Sequence, residues 1–255
     1  MATVEMLLRE DLACALDPVA FARRLGFEPD PWQAEVLRSP AKRIILNCCR
    51  QSGKSTVTAI LALHMAIYRP PALVLLLSPT LRQSSELFRK VLDFFRRAAR
   101  ELPPPEAESA LRLELANGSR IVSLPGKEAT IRGFSGVDLL IVDEAARVPD
   151  ELYQAVRPML AVSEGRLILL STPFGKTGFF YRTWSEGGSE WLRIRVTADD
   201  CPRISPEFLE EERRTLPPWW FRQEYYCEFE DSEAQVFPSE AIRRAFSKEV
   251  ERWDL

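Results

Sequence analysis

Residues 47–56 read NCCRQSGKST. Gly53, Lys54 and Ser55 fit the end of the phosphate-binding signature G-x-x-x-x-G-K-[ST], while Cys48 stands where its first glycine belongs. An apolar run from Arg43 to Leu46 leads into the stretch, and a helical pattern from Ser55 to Tyr68 leads out of it. That strand–loop–helix setting is what the chemistry needs. The strand must stop, the backbone must curl with its N–H groups inward, and a helix N-terminus must complete the cradle for phosphate oxygens. The expected cradle is Gln51, Ser52, Gly53, Lys54, Ser55 and Thr56. Gly53 lets the backbone approach, Lys54 reaches the β- and γ-phosphates, and Ser55 offers a hydroxyl to Mg2+. The first position of the signature serves mainly the turn, so a small residue such as Cys48 can stand there if its dihedrals are allowed. Arg50, inside the loop, is placed to lie near the phosphates.

A second stretch strengthens this reading. In LLIVDEA, Leu139 to Ala145, four apolar residues lead into Asp143 and Glu144. Two acids at a strand end can simply cap it. About ninety residues after Gly53-Lys54-Ser55, they read as a Walker B pair: Asp143 holding Mg2+ through water, Glu144 orienting or deprotonating the attacking water. A third stretch, ILLSTPFGKTG, ends an apolar strand in Ser171 and Thr172, a polar pair able to sense a γ-phosphate or merely to begin a turn. A fourth, Pro31-Trp32-Gln33, precedes the first strand. The Gln33 amide carries a donor and an acceptor that suit an adenine edge, and Trp32 is placed to stack or to pack. A fifth, TIRGFSG, puts Arg132 in a glycine-bearing loop ahead of the acidic strand. An arginine laid on a neighbouring subunit's γ-phosphate accelerates hydrolysis by about 10³–10⁵-fold.

These pieces sit on an alternation of Ile/Leu/Val-rich strands and helices, with polar residues gathered where strands end. That predicts an α/β fold of the P-loop NTPase kind, a central, mostly parallel sheet flanked by helices, with ligands at the strand C-termini. Residues 81–101 read as an amphipathic helix, with Arg89, Lys90, Arg96, Arg97 and Arg100 on its polar side. LRLELANGSRIVSLPG alternates about Asn117-Gly118, a hairpin signal. After about residue 185 the texture becomes charged and aromatic: WLRIRV reads as one more strand, and PEFLEEERRTLPPWWFRQEYYCEFEDSE as two helices joined at Pro217-Pro218. The expected division is an ATPase core over 1–185 and a small, mainly helical C-terminal lid over 186–255.

Composition excludes other classes. With 255 residues, 46% hydrophobic and 28% charged, the chain can bury a large core. A net charge of −3 leaves nucleic-acid binding to a local patch. No apolar stretch is long enough for a spanning helix, and no membrane is expected. Five cysteines without a C-x-x-C pair indicate neither a disulfide framework nor a zinc site. The one histidine, His64, lies in an apolar helical run and reads as a packed residue.

In this order the motifs resemble the large terminase subunit of tailed bacteriophages, the ATPase that packages DNA into procapsids. The resemblance is carried by PWQ, CCRQSGKS, LSPTLRQSSELF, LANGSRI, IRGFSGVDLLIVDEA, ILLSTPFGKTGFFYRTW and WWFRQEYYCEFEDSEAQVF, nearly the whole chain. A Walker A loop that lacks its first glycine and contains an arginine is typical of that family. The resemblance implies an additional-strand, catalytic-glutamate ATPase. It implies ATP and Mg2+ as cofactors, with Lys54 and Ser55 on phosphate and Mg2+, Asp143 on Mg2+ and Glu144 in catalysis. It places Gln33 on adenine, Ser171 and Thr172 in coupling, and Arg132 as a finger acting in trans, with Arg50 its rival for the transition state. The implied partners are double-stranded DNA, a homo-oligomeric ring (a pentamer) on a portal, and a small terminase subunit, all in the host cytoplasm. Such subunits continue into a nuclease domain. No leftover carboxylate cluster of that kind is visible here, and DNA cleavage is not expected of this chain. Arg82, Gln83 and the arginines of 89–100 are candidates for DNA contact. The alternative is a single-strand helicase or another nucleic-acid-dependent ATPase, against which stands the lack of a second nucleotide-binding half.

Overall fold

The computed structural model describes residues 2–99, 102–126, 133–231 and 245. Three helices, α1 (Ala2–Leu16), α2 (Pro18–Arg24) and α3 (Pro31–Arg38), lead to β1 (Arg43–Cys48). Helix α4 (Lys54–Tyr68) follows the loop, then β2 (Leu73–Ser78), α5 (Leu81–Ala98) and strands β3 (Ala107–Glu108), β4 (Arg112–Glu114) and β5 (Arg120–Pro125). Strands β6 (Leu139–Asp143), β7 (Arg166–Ser171) and β8 (Trp191–Val196) complete one eight-stranded sheet, ordered β3-β4-β5-β2-β6-β7-β1-β8. The pairs among β5, β2, β6, β7, β1 and β8 are parallel, and β3–β4 and β4–β5 are antiparallel.

Period-two alternation divides the core between two faces. Ile44, Leu46, Leu76, Ile141 and Ile168 pack with α4 and α5 residues such as Val57, Ile60, Phe88 and Val91. Ile45, Leu75, Leu77, Leu140, Val142 and Leu169 pack on the other face with Leu152, Val156 and Phe180. Both faces are covered, so these strands read as unbroken apolar runs. β7 lies between β6 and β1, with Asp143 level with Leu170 and Asn47 level with Ser171. The ends carrying the loop, the acids and the Ser-Thr pair are thereby set side by side.

The hairpin forms as expected. Gly118 takes φ +83°, where a Cβ would be strained. Asn117 donates from Nδ2 to the carbonyls of Ala66 (2.9 Å) and Ile67 (3.2 Å), satisfying the C-terminal end of α4. Two expectations need correction. The division at residue 185 falls ahead of β8, yet β8 pairs with β1 from Arg43 to Cys48, so the sheet continues to Val196. This edge strand is only half buried and carries Arg193 and Arg195, which gave it the polar texture of a new unit. The basic side of α5 is also not a free stripe. Arg96 pairs with Asp93 (3.6 Å) and Glu108 (3.2 Å), Arg89 with Glu86 (3.2 Å), and Arg97 donates to the Leu25 carbonyl (3.2 Å). The helices Pro206–Thr215 and Pro218–Tyr226 form around Phe221 and Tyr225 as anticipated, whereas Arg100 and most of the chain beyond residue 231 lie outside the described residues.

Among the described residues no helix is long and apolar enough to cross a membrane. All five cysteines are free and buried. His64 is buried, its Nε2 3.0 Å from the Cys14 carbonyl and its ring against Phe21 and Tyr68. Burial holds its pKa below the usual value, the Cys14 hydrogen bond opposing this in part. The unfolded chain therefore takes up a proton below about pH 6.5 that the folded chain refuses, and stability falls there as pH falls. His64→Gln keeps a donor and removes that proton. The gap in Tm between variant and wild type is expected to move in the variant's favour between pH 8 and pH 5.5, as thermal melts would show. A gap that stays constant would contradict a neutral, buried His64.

Candidate active site

The missing glycine has a structural answer. Cys48 is the last residue of β1 and wholly buried in the core, and the left-handed turns of the loop fall at Gln51 (φ 61°) and Gly53 (φ 88°) instead. A Cβ on Gly53 would come within 2.7 Å of Gln33 Nε2, so backbone conformation and neighbours both demand glycine there. The loop is held from outside. Its Cys49 N–H donates to the Val196 carbonyl (2.8 Å) and its Arg50 N–H to the Glu224 carbonyl (3.2 Å). The Ser52 carbonyl accepts from Gln33 Nε2 (3.2 Å) and Arg203 Nη2 (2.8 Å). Arg203 also forms a forked pair with Asp30, at 3.0 and 2.7 Å.

A cleft of about 610 Å³ opens over this loop. Of the residues expected from sequence, Gln33, Arg50, Gln51, Ser52, Gly53, Lys54, Ser55, Thr56 and Glu144 line it. Asp143 lies beneath, with Oδ1 3.4 Å from Ser55 Oγ. Lys54 is nearly buried, its Nζ 3.8 Å from Glu144 Oε1. Glu144 itself takes φ 50°, ψ 42°, an uncommon conformation for a residue with a side chain, costing about 1–3 kcal/mol and typical of functional positions. Burial, reinforced by Glu144, pushes the Asp143 carboxyl up to about 6 against the opposing pull of Lys54 and Lys90.

Several expected placements differ. Trp32 does not line the cleft but packs against the apolar core. Gln33 lines it, yet both ends of its amide are engaged: Oε1 accepts from the Asp30 N–H (2.9 Å) while Nε2 bonds Ser52. In this way it braces the loop. Ser171 and Thr172 are buried beside the site. Thr172 Oγ1 accepts from Arg147 Nη1 (3.2 Å), while Ser171 Oγ has no partner among the described residues. Arg132 lies outside the described residues. Lys90, read as part of a solvated helix face, instead faces the cleft, and burial lowers its pKa.

Sequence reading missed Arg147, Arg203 and Glu224. Arg147 lines the cleft with Nη1 3.1 Å from Glu144 Oε2 and Nη2 3.6 Å from Glu224 Oε1. Glu224 is 2% exposed and also holds Arg50 Nε at 2.5 Å. The spacing of DEAAR offered one clue, since residues three apart eclipse on a tight helical turn. Nothing local announced Arg203 or Glu224. Among the described lining residues, Arg50, Lys54, Lys90, Arg147 and Arg203 face a single carboxylate, Glu144. Such a cleft favours a polyanion, and the Ser55–Asp143 end offers hard oxygen ligands of the kind divalent cations take.

Sheet order and loop geometry define a P-loop-like α/β fold with an extra strand between the loop strand and the acidic strand. Comparison with known proteins makes the assignment specific. Residues 45–244 match the family model described as terminase large subunit, T4likevirus-type, N-terminal, and the chain belongs to that family. The large terminase subunit of Thermus phage G20c is 30% identical over 251 residues, covering 85% of this chain and 52% of the relative. That of Thermus virus P23-45 is 29% identical over 252 residues, with the same coverage, so the chain spans about half the length of these curated relatives. The solved ATPase domain of the Thermus phage P74-26 large terminase superposes with a TM-score of 0.73 at 26% identity, covering 82% of this chain and 97% of that one.

Proposed function

We propose that this chain is the ATP-hydrolysing part of a motor that moves double-stranded DNA into a procapsid. The observation that carries the reading is the cluster Lys54, Ser55, Asp143 and Glu144 at the ends of β1 and β6, inside an electropositive cleft. ATP binds with its phosphates on the loop 51–56 and on Lys54. Ser55 and Asp143 would hold Mg2+, which would supply charge neutralisation to the phosphates. Glu144 orients and deprotonates the attacking water. Ser171-Thr172 and the helix pair after residue 205 register phosphate loss, and the chain works as one subunit of a ring on a portal, recruited with a small terminase subunit in the host cytoplasm. Arg132 from the neighbouring subunit completes the transition-state charge. Arg50 is the weaker candidate for that role, because its guanidinium is already paired with buried Glu224.

ATP turnover per subunit, followed as protein concentration rises, tests the shared site. Turnover is expected to climb with concentration, and mixing Arg132→Ala with Glu144→Gln protein should restore part of it, since one parent keeps a sound glutamate and the other a sound finger. Duplex DNA should stimulate turnover more than single strands. Steady turnover at all concentrations would place the whole site within one subunit and remove Arg132 from it.

A further inference from the structure

Arg147 ties together three parts of the molecule that the proposed reaction must coordinate. It ends the tight turn Ala145–Arg147, three residues after Glu144, so the two side chains lie on one side of that turn. Its Nη1 is 3.1 Å from Glu144 Oε2 and donates to Thr172 Oγ1 at 3.2 Å. Its Nη2 is 3.6 Å from Glu224 Oε1, and its guanidinium lies 4.7 Å from the centre of the Phe174 ring. One planar fork thus spans the end of β6, the segment after β7 and the helix Pro218–Tyr226. Arginine suits this place because its donors are fixed in one plane and its face can stack on an aromatic ring.

Two features separate this from an ordinary surface pair. Arg147 is 25% exposed and Glu224 is 2% exposed, so this 3.6 Å ion pair is partly buried and is screened by salt less than an exposed one. Glu224 also receives Arg50 from the phosphate loop, its carboxylate accepting from Arg50 Nε (2.5 Å) and its backbone carbonyl from the Arg50 N–H (3.2 Å). One buried carboxylate on the C-terminal helix therefore holds an arginine beside the phosphates and an arginine beside the attacking-water glutamate. On its other oxygen Glu144 meets Lys54 at 3.8 Å. A nucleotide that draws Lys54 to its phosphates leaves Arg147 as the group holding the Glu144 carboxylate.

We infer that Arg147 is a positioning residue. It fixes the Glu144 carboxylate for attack on the bound nucleotide and makes that placement depend on Thr172 and Glu224. The inference rests on the ATPase reading above and goes beyond it by assigning what orients the glutamate and what it answers to. Arg147 acts through Glu144, so its loss should appear in kcat and not in nucleotide affinity.

The test is a double-mutant cycle on the purified chain under the conditions that give most turnover, with Arg147→Ala, Arg147→Lys, Glu144→Gln and the Arg147→Ala/Glu144→Gln pair. Single-turnover rates and equilibrium ATP binding are measured for each. Arg147→Ala is expected to lower kcat by about 10–100-fold, the worth of a hydrogen bond to a charged group, with ATP affinity within about threefold of wild type. Arg147→Lys, which keeps the charge but not the fork, should recover part of the rate. In the Glu144→Gln background the alanine should cost no more than about twofold further. An additive loss in the double variant would mean that Arg147 meets the phosphates itself, and would overturn the inference. So would unchanged kcat in both Arg147 variants, or a loss confined to affinity. If Arg147→Ala does not fold, the same comparison with Arg147→Lys decides. Failure of the ATPase reading is distinguishable, since the wild-type chain would then show no ATP turnover at all.

Discussion

Glu144→Gln is expected to lower ATP turnover by about 10²–10⁴-fold, the range for losing a general base, or roughly 3–5 kcal/mol of barrier. The substitution keeps side-chain length and the ability to accept a hydrogen bond from Arg147 Nη1, now 3.1 Å from Glu144 Oε2. What it removes is the negative charge and the basicity. ATP binding should survive and even tighten, because the Lys54 ammonium, 3.8 Å from Glu144 Oε1, no longer has that carboxylate competing with phosphate for it. The variant should therefore trap ATP uncleaved. Equilibrium binding and single-turnover hydrolysis on the same preparation separate the two effects. Wild-type rates in the variant would exclude Glu144 as the base and leave the cleft a binding site whose chemistry lies elsewhere.

The parts of the site carried by local sequence were legible, and the parts made by distant packing were not. Gly53-Lys54-Ser55 and Asp143-Glu144 could be read because each motif follows a strand, and parallel strands bring their ends to one edge of the sheet. The sheet order that inserts β7 between β1 and β6 brings Thr172 toward Glu144 through the Arg147 bridge. Residues whose position depends on chain returning from afar gave no such signal. Arg203 reaches Asp30 across 173 positions, and Arg50 reaches Glu224 across 174. Lys90 shows the opposite error: in a helix with an evident apolar side its charge suggested solvent, yet the cleft wall lies against that part of α5. The Gln33 amide was read as suited to an adenine edge, and Trp32 as placed to stack or to pack, because of their side-chain chemistry. Position at the start of α3 instead commits Gln33 to the helix cap and to Ser52.

Asp143→Asn is expected to stabilise the protein in EDTA while lowering Mg2+-dependent turnover by at least about 10²-fold, on the order of losing a principal transition-state electrostatic contact. Burial and the adjacent Glu144 raise the Asp143 carboxyl from 3.8 to about 6. The folded chain then binds a proton that the unfolded chain has released between those values, so this group's contribution to stability is full below pH 3.8 and is lost as pH rises through 6. A rise of about two units corresponds to roughly 3 kcal/mol of destabilisation at pH 8, an upper bound on what the neutral amide can recover. For a chain of this size the gain in Tm should be on the order of 5 °C. It should fall to roughly half at pH 5 and vanish only below pH 3.8, where the carboxyl is protonated in the folded and unfolded chains alike. His64 titrates equally in both proteins and cancels from the difference. Equal melting temperatures at pH 8 would contradict a carboxyl raised by burial, and Mg2+-dependent turnover that survives would remove Asp143 from the metal site. If both effects appear, they have one cause. A carboxylate kept from water beside a second carboxylate is costly alone, and Ser55 and Asp143 would hold a divalent cation whose charge would relieve that cost, so the group that weakens the empty fold would be the one that draws the metal.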